Sequence, residues 1–103
     1  MDLLGFQILR ENYRPRKKDW KLDLALGAVE LELFSAPAAP ARPTRPEALG
    51  LRHLAFWVDN VAAEVAALEA KGIVCEPIRI DEFSNKPFTF FFDPDGLPLE
   101  LHE

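Results

Sequence analysis

The sequence predicts an α+β fold built from two related halves, each of which ends in antiparallel strands. Three observations carry this prediction: short runs of alternating apolar and polar residues, one segment with helical periodicity, and an internal repeat. A length of 103 residues limits the chain to one domain, and 49% apolar residues suffice for a packed core. We therefore expect a small, soluble, globular protein.

The first half is expected to contain three strands. Residues 6–12 alternate between apolar and polar side chains and lead into a basic turn at 14–18. Residues 20–26 and 29–34 alternate in the same way and are separated by the tight-turn pair Gly27-Ala28. The last two runs are therefore predicted to form a β-hairpin.

A proline-rich connector separates the halves. Prolines recur between Ala36 and Pro46, at positions 37, 40, 43 and 46. Each proline removes a backbone donor and fixes φ, which excludes a helix or an inner strand. We assign residues 1–36 to an incomplete first module, 37–50 to the connector and 51–103 to a complete second module.

The second half is predicted to have the order βαβββ. A strand at 51–58 ends at Asp59-Asn60, which are favourable N-cap residues, and Val61, Val65 and Leu68 then recur at helical spacing up to Gly72. Further strands are expected at 73–80, 88–92 and 98–102, with a polar loop at 81–86 and a turn at Asp93-Pro94-Asp95-Gly96.

The repeat relates the two halves strand by strand. Leu31-Glu32-Leu33-Phe34 closes the first hairpin as Leu99-Glu100-Leu101-His102 closes the second. The spacing is 27 residues from Gly5 to Glu32 and 28 from Gly72 to Glu100. Because only four residues precede Gly5, we expect the opening strand and helix of the first module, about twenty residues, to be absent. A shortened gene product and a start placed too late are both compatible with this pattern.

Three polar side chains are candidate metal ligands. In strands of period two, Glu32, His53 and Glu100 each lie on the face opposite the one that packs under the helix layer. Imidazole and carboxylate groups bind Zn, Ni, Co, Mn or Fe. The alternative interpretation is that these are ordinary solvated strand residues. The symmetric placement of two glutamates between leucines favours the metal site.

Composition excludes several other functions. The net charge of −5, with no basic run longer than Arg16-Lys17-Lys18, argues against binding of a nucleic-acid backbone. The single cysteine, Cys75, excludes an intramolecular disulfide and indicates a reduced, cytoplasmic setting. Neither a membrane-spanning run nor a signal peptide is apparent, so we expect no membrane association.

Several segments together resemble a known family. Gly50-Leu51-Arg52-His53-Leu54-Ala55-Phe56, Phe88-Thr89-Phe90-Phe91-Phe92-Asp93-Pro94-Asp95-Gly96-Leu97-Pro98-Leu99-Glu100-Leu101 and Leu31-Glu32-Leu33-Phe34-Ser35 resemble the vicinal oxygen chelate superfamily, and within it small bacterial proteins of the glyoxalase I and bleomycin-resistance type. The resemblance covers essentially the whole chain. It implies paired βαβββ modules that curl around a divalent metal ion.

The resemblance also implies roles for the candidate residues. Glu32, His53 and Glu100 match three of the four ligands of the family, whereas the first histidine has no counterpart in this sequence. His102, two residues after Glu100, is a possible substitute. In glyoxalase-like chemistry the metal stabilises an enediolate and a carboxylate moves a proton, and that carboxylate would be Glu100.

The substrate would then be a small molecule such as a glutathione hemithioacetal, converted in a lactoylglutathione lyase reaction that the missing ligand is expected to weaken. The alternative is a non-catalytic protein that binds or sequesters a small molecule. Arg42, Arg45 and Arg52 either bind an anionic substrate or belong to a solvated connector. The aromatic candidates either line a pocket or fill the core: Trp57, Phe88, Phe90 and Phe92. Unpaired sheet edges and an uncovered apolar face predict a homodimer.

Overall fold

The computed structural model describes residues 4–43 and 45–103, which belong to two compact units, Met1–Pro40 and Ala41–Glu103. The first unit is a three-stranded antiparallel sheet made of β1 (Gln7–Arg14), β2 (Asp19–Leu26) and β3 (Val29–Ser35) in that order. Gly27, with φ +58°, lies in the turn of the predicted hairpin. The three strands predicted for the first half are thus confirmed.

The two faces of this sheet differ in polarity. Arg10 pairs with Asp23 in the register of β1 and β2, and Asp23 pairs with Glu32 in that of β2 and β3, so these three side chains share one face. Leu24 points to the opposite face and is 2% exposed, whereas Leu33 on that same face is 42% exposed. The sheet therefore has a charged face and a partly buried apolar face.

The second unit contains a four-stranded sheet and one helix. The strands are β4 (Leu54–Trp57), β5 (Arg79–Ile80), β6 (Pro87–Phe92) and β7 (Pro98–His102), in the spatial order β4-β7-β6-β5. β4 runs parallel to β7, and the other pairs are antiparallel. The meander β5-β6-β7 matches β1-β2-β3 in order and direction, as the repeat predicts.

The helix α1 (Val61–Ala70) has the ends that the sequence predicts. The Asn60 side chain accepts a hydrogen bond of 2.9 Å from the Ala63 amide, so it is the N-cap. At the other end the Gly72 amide donates to the Glu69 carbonyl and the Ile73 amide to the Leu68 carbonyl, each at 3.0 Å. This is a Schellman arrangement, which requires the positive φ of +86° that Gly72 adopts.

The core of the second unit lies on the helix side of the sheet. The buried side chains here come from the helix and from alternate positions of β6 and β7: Val61, Leu68, Thr89, Phe91, Leu99 and Leu101. The Thr89 hydroxyl donates to the Glu76 carbonyl at 2.7 Å, which satisfies its buried oxygen. Alternation then places residues 88, 90, 100 and 102 on the opposite face.

Two predicted strands are shorter in the structure. Of residues 73–80 only Arg79–Ile80 is strand, because Pro77 has no amide to donate and the segment before it touches β6 through isolated bonds such as Glu76 amide to Phe90 carbonyl. The strand predicted at 51–58 begins at Leu54, since the Arg52 carbonyl is bound by Arg42 at 2.6 Å rather than by a strand. The predicted α+β class is confirmed.

Candidate functional site

The open face of the second sheet brings two predicted ligands together. β4 and β7 pair with Ala55 beside Glu100, so His53, two residues earlier, reaches the same face. His53 Nε2 lies 3.0 Å from Glu100 Oε2. Their side chains are 34% and 20% exposed, so the pair is partly shielded yet open to a ligand.

The ring of Phe90 packs against the imidazole of His53. The His53 and Phe90 rings meet edge to face with centroids 5.1 Å apart, and Phe90 pairs with Glu100 across β6 and β7. The imidazole is thus held between a ring and a carboxylate. A neutral imidazole that donates from Nε2 to Glu100, or an imidazolium, is compatible with this contact.

The separation of the two donors is compatible with a shared metal ion. Two ligands bound at about 2.1 Å lie about 3.0 Å apart at right angles and about 3.4 Å apart at the tetrahedral angle, so the 3.0 Å between His53 Nε2 and Glu100 Oε2 suits an octahedral ion and is also the length of a hydrogen bond. A borderline metal ion binds both imidazole and carboxylate. Among residues 4–43 and 45–103, however, no three side chains of His, Cys, Asp or Glu form a group that could hold an ion.

A shallow cavity of about 420 Å³ adjoins Glu100. The residues that line it come from the loop after β5 and from the ends of β6 and β7: Asp81, Ser84, Lys86, Pro87, Phe88, Glu100, His102 and Glu103. His102 shares the face of Glu100, and its Nδ1 lies 3.4 Å from the Glu103 carbonyl. His102 is therefore a further candidate metal ligand on the same face as Glu100.

The loop that bounds this cavity is held by Asp81. Its carboxylate accepts hydrogen bonds from the Phe83 amide and the Ser84 hydroxyl, both at 3.0 Å. The Phe83 amide bond, followed by the Ser84 hydroxyl, lowers the pKa of Asp81 below its usual value. The carboxylate is therefore ionised at neutral pH and orders one wall of the cavity.

Glu32 lies in the first unit, where its carboxylate has another partner. Lys21 Nζ contacts Glu32 Oε1 at 2.8 Å and Asp23 Oδ1 at 3.4 Å. The hydrogen bond to Glu32 is the main cause of a raised pKa of Lys21. Arg10 adds a 2.8 Å bond to the buried Asp23, which lowers the pKa of that carboxyl. The role of Glu32 beside His53 and Glu100 stays a prediction.

The arginines singled out in the sequence differ in their surroundings. Arg42 donates to the carbonyl of Arg52 at 2.6 Å and approaches the Glu47 carboxylate at 3.8 Å, so it fastens the connector to the segment before His53. The side chains of Arg45 and Arg52 are exposed. Arg42 is thus already engaged by this chain.

Sequence reasoning missed Arg79, which stands at the far edge of the same face. Its guanidinium carbon lies 5.0 Å from the centroid of the Phe88 ring and 5.7 Å from that of Phe90. Of the consecutive aromatic residues in β6, Phe91 is 2% exposed and belongs to the core, whereas Phe88 and Phe90 are half-buried on the site face. Both interpretations of the aromatic residues therefore apply, at alternate positions.

The comparison with family models gives one match over nearly the whole chain. A model described as the Glyoxalase/Bleomycin resistance protein/Dioxygenase superfamily matches residues 1–101. Among curated proteins, the uncharacterized protein YaeR of Escherichia coli (strain K12) is 58% identical over 103 residues, which cover 99% of this chain and 80% of YaeR.

Solved structures agree with this assignment. The structure of a glyoxalase family protein from Enterococcus faecalis superimposes with a TM-score of 0.96 at 61% identity and covers 99% of this chain and 81% of that one. A mutant of maize glyoxalase I gives a TM-score of 0.78 at 21% identity, covering 97% of this chain and 36% of that one, which shows a shared fold alone. Among the described residues, no helix has the length and apolarity needed to cross a membrane.

Proposed function

Because this chain belongs to the Glyoxalase/Bleomycin resistance protein/Dioxygenase superfamily, we propose that it is a glyoxalase I-like metalloprotein in which His53 and Glu100 hold a divalent ion. The observation that carries the proposal is the 3.0 Å approach of His53 Nε2 to Glu100 Oε2 on the open face of the sheet. Glu32 is the third proposed ligand, and Zn, Ni, Co, Mn and Fe all suit this donor set.

The proposed reaction is a lactoylglutathione lyase-type isomerisation. A bound ion supplies electrophilic stabilisation of negative charge on neighbouring substrate oxygens. Glu100 takes the proton from the carbon beside a carbonyl group and returns it to the adjacent carbon, so no net proton is consumed. His53 would hold the ion beside Glu100, and its 3.0 Å approach to Glu100 Oε2 places the imidazole at the carboxylate. We expect weak activity with the hemithioacetal of methylglyoxal and glutathione, because the proposed site has three protein ligands.

Metal titration tests the proposal without relying on turnover. Calorimetric titration of the metal-free protein with Ni²⁺, Zn²⁺ and Co²⁺ should give one site per chain. His53→Ala and Glu100→Gln should each weaken binding by about 100-fold or more, beyond the 10–100-fold that loss of an outer-shell contact costs. Glu82→Gln is the matched control, because Glu82 is exposed and lies outside the site.

Two further variants assign the remaining candidates. Lower affinity in Glu32→Gln supports that residue as a ligand, and lower affinity in His102→Ala identifies His102 as a further ligand. Equal affinities of wild type, His53→Ala and Glu100→Gln contradict the metal site. In that case the isomerase rate of Glu100→Gln, which should fall to background, decides whether any catalytic role remains.

A second candidate function is the binding or sequestration of a small molecule without chemistry. The observation that favours it is that no three metal-binding side chains group together among the described residues, while Phe88 and Phe90 offer an apolar surface beside the cavity. A protein that takes up no metal, lacks isomerase activity and still binds an apolar small molecule fits this function instead.

A further inference from the structure

A continuous row of side chains crosses the site face of the second unit. It starts at Arg79, whose guanidinium lies over Phe88 at 5.0 Å, and continues to Phe90, whose ring centroid is 6.1 Å from that of Phe88. It ends at His53, 5.1 Å beyond Phe90. The rings of Phe88 and Phe90 therefore form an apolar surface between the Arg79 guanidinium, which carries hydrogen-bond donors, and the His53–Glu100 pair.

Arg79 keeps most of its donors free. A guanidinium carries five N–H groups in a rigid plane. One Nη2 bond, of 3.1 Å, goes to Glu76 Oε1, and both side chains are largely exposed, at 53% and 41%. Exposed pairs of this kind contribute little stability and exchange readily with other partners. The guanidinium carbon lies 5.0 Å from the Phe88 ring centroid, so the cation is held over the ring by a cation–π contact while its N–H groups face outward for a ligand.

We propose that this row is a binding surface for small carboxylates with an apolar body: Arg79 binds the carboxylate, and Phe88 and Phe90 contact the body. The inference rests on the proposed function for one point only, namely that the opposite end of the ligand faces His53 and Glu100. Binding of the carboxylate by Arg79 requires no metal ion.

The charges around the row favour a carboxylate over a doubly charged phosphate. Glu76 lies beside Arg79, Glu100 shares the face, and the chain carries a net charge of −5. A dianion is repelled by these groups more strongly than a monoanion is. A planar carboxylate also matches two parallel N–H groups of a guanidinium.

Two isosteric probes separate recognition of charge from apolar contact. We would titrate the metal-free protein with 3-phenylpropionate and with 3-phenylpropanamide, and follow amide chemical shifts by NMR at low salt. The wild type should bind the acid about tenfold more tightly than the amide, the ratio typical of one charge-assisted contact. The largest shifts should fall on residues 79, 88 and 90.

Variants of Arg79 then test the assignment. Arg79→Gln should reduce the acid-to-amide ratio to about one, whereas a merely structural role of Arg79 would weaken both probes alike and preserve the ratio. Arg79→Lys keeps the positive charge but lacks the paired N–H groups of the guanidinium, so it should give an intermediate acid-to-amide ratio. Arg52→Gln removes the same charge from an exposed position next to His53 and should preserve the ratio.

The outcomes separate this inference from the proposed function. An unchanged ratio in Arg79→Gln, or no preference for the acid in the wild type, overturns the carboxylate site even if the metal binds through His53 and Glu100. A preference that disappears in Arg79→Gln supports it, even in a protein that binds no metal. Amide chemical shifts that stay unchanged away from residues 79, 88 and 90 show in each case that the variant is folded.

Discussion

The turn between β6 and β7 is predicted to depend on one oxygen atom of Asp93. Asp93 Oδ1 accepts hydrogen bonds from the Asp95 amide at 2.9 Å and from the Leu97 amide at 2.8 Å. The Gly96 amide donates to the Asp93 carbonyl at 3.0 Å, and Gly96 has a φ of +85°. Asp93→Ala removes both side-chain bonds and leaves the rest of the turn unchanged.

The expected cost follows from these two contacts. A net hydrogen bond contributes about 1 kcal/mol, and the turn is only partly buried, so their loss should lower the free energy of unfolding by about 2 kcal/mol. For a chain of 103 residues, each kcal/mol shifts the melting temperature by about 4–8 °C. The melting temperature of Asp93→Ala should therefore fall by about 8–16 °C.

Thermal and urea denaturation followed by circular dichroism measure this effect. Asp93→Asn keeps an acceptor oxygen in the same place and should lose less than half as much stability. Asp95→Ala changes an exposed carboxylate of the same turn and should stay within about 0.5 kcal/mol of the wild type. The reasoning is refuted if Asp93→Ala has the same melting temperature as Asp95→Ala, or if Asp93→Asn is as unstable as Asp93→Ala.

Three other predictions concern the helix, the loop and the assembly. Asn60→Ala should cost about 1 kcal/mol in urea denaturation, because the Ala63 amide loses its acceptor, and a loss no larger than that of Asp59→Ala would contradict the N-cap. The pKa of Asp81 is lowered in the folded protein, so its carboxylate stabilises the fold at pH values above 3.8, the ordinary pKa of this group. This stabilisation is lost as the pH falls through the lowered pKa of the folded state. The stability gap between wild type and Asp81→Asn should thus close in acid titration, and a gap that widens would contradict this sign. For the expected homodimer, light scattering at micromolar concentration should give about twice 11.6 kDa, and a single species near 11.6 kDa would exclude it.

Local chemistry explains which elements could be predicted from the sequence. The bounds of β7, the Asn60 cap and the glycine at the end of α1 depend on residues within four positions, so period and capping rules predict them. The segment 73–80 contains apolar residues like a strand, yet Pro77 limits its pairing with β6. Strand length in that segment depends on a partner that local reasoning does not include.

In the candidate site, too, local patterns predict some residues and miss one that depends on strand pairing. Alternation alone places His53 and Glu100 on one face, and the parallel register of β4 and β7 then determines the 3.0 Å contact between them. Arg79 belongs to the shortest strand, so no periodic signal marks it. Its proposed role depends on the register that places it beside Phe88. Side chains recruited by pairing across the sheet are therefore the ones that sequence reasoning misses.

Periodicity predicts the face of the sheet on which Glu32 lies but not the partner of its carboxylate. The alternation of β3 places its carboxylate on the charged face, beside Asp23 in the register, as the pattern of leucines predicts. The identity of its partner depends on β2, where Lys21 contacts Oε1 at 2.8 Å. The side chain of Glu32 is 59% exposed, and exposed ion pairs contribute little stability, so the lysine contact holds this carboxylate only weakly. The lysine contact is thus compatible with the proposed ligand role of Glu32, and the metal affinity of Glu32→Gln tests that role.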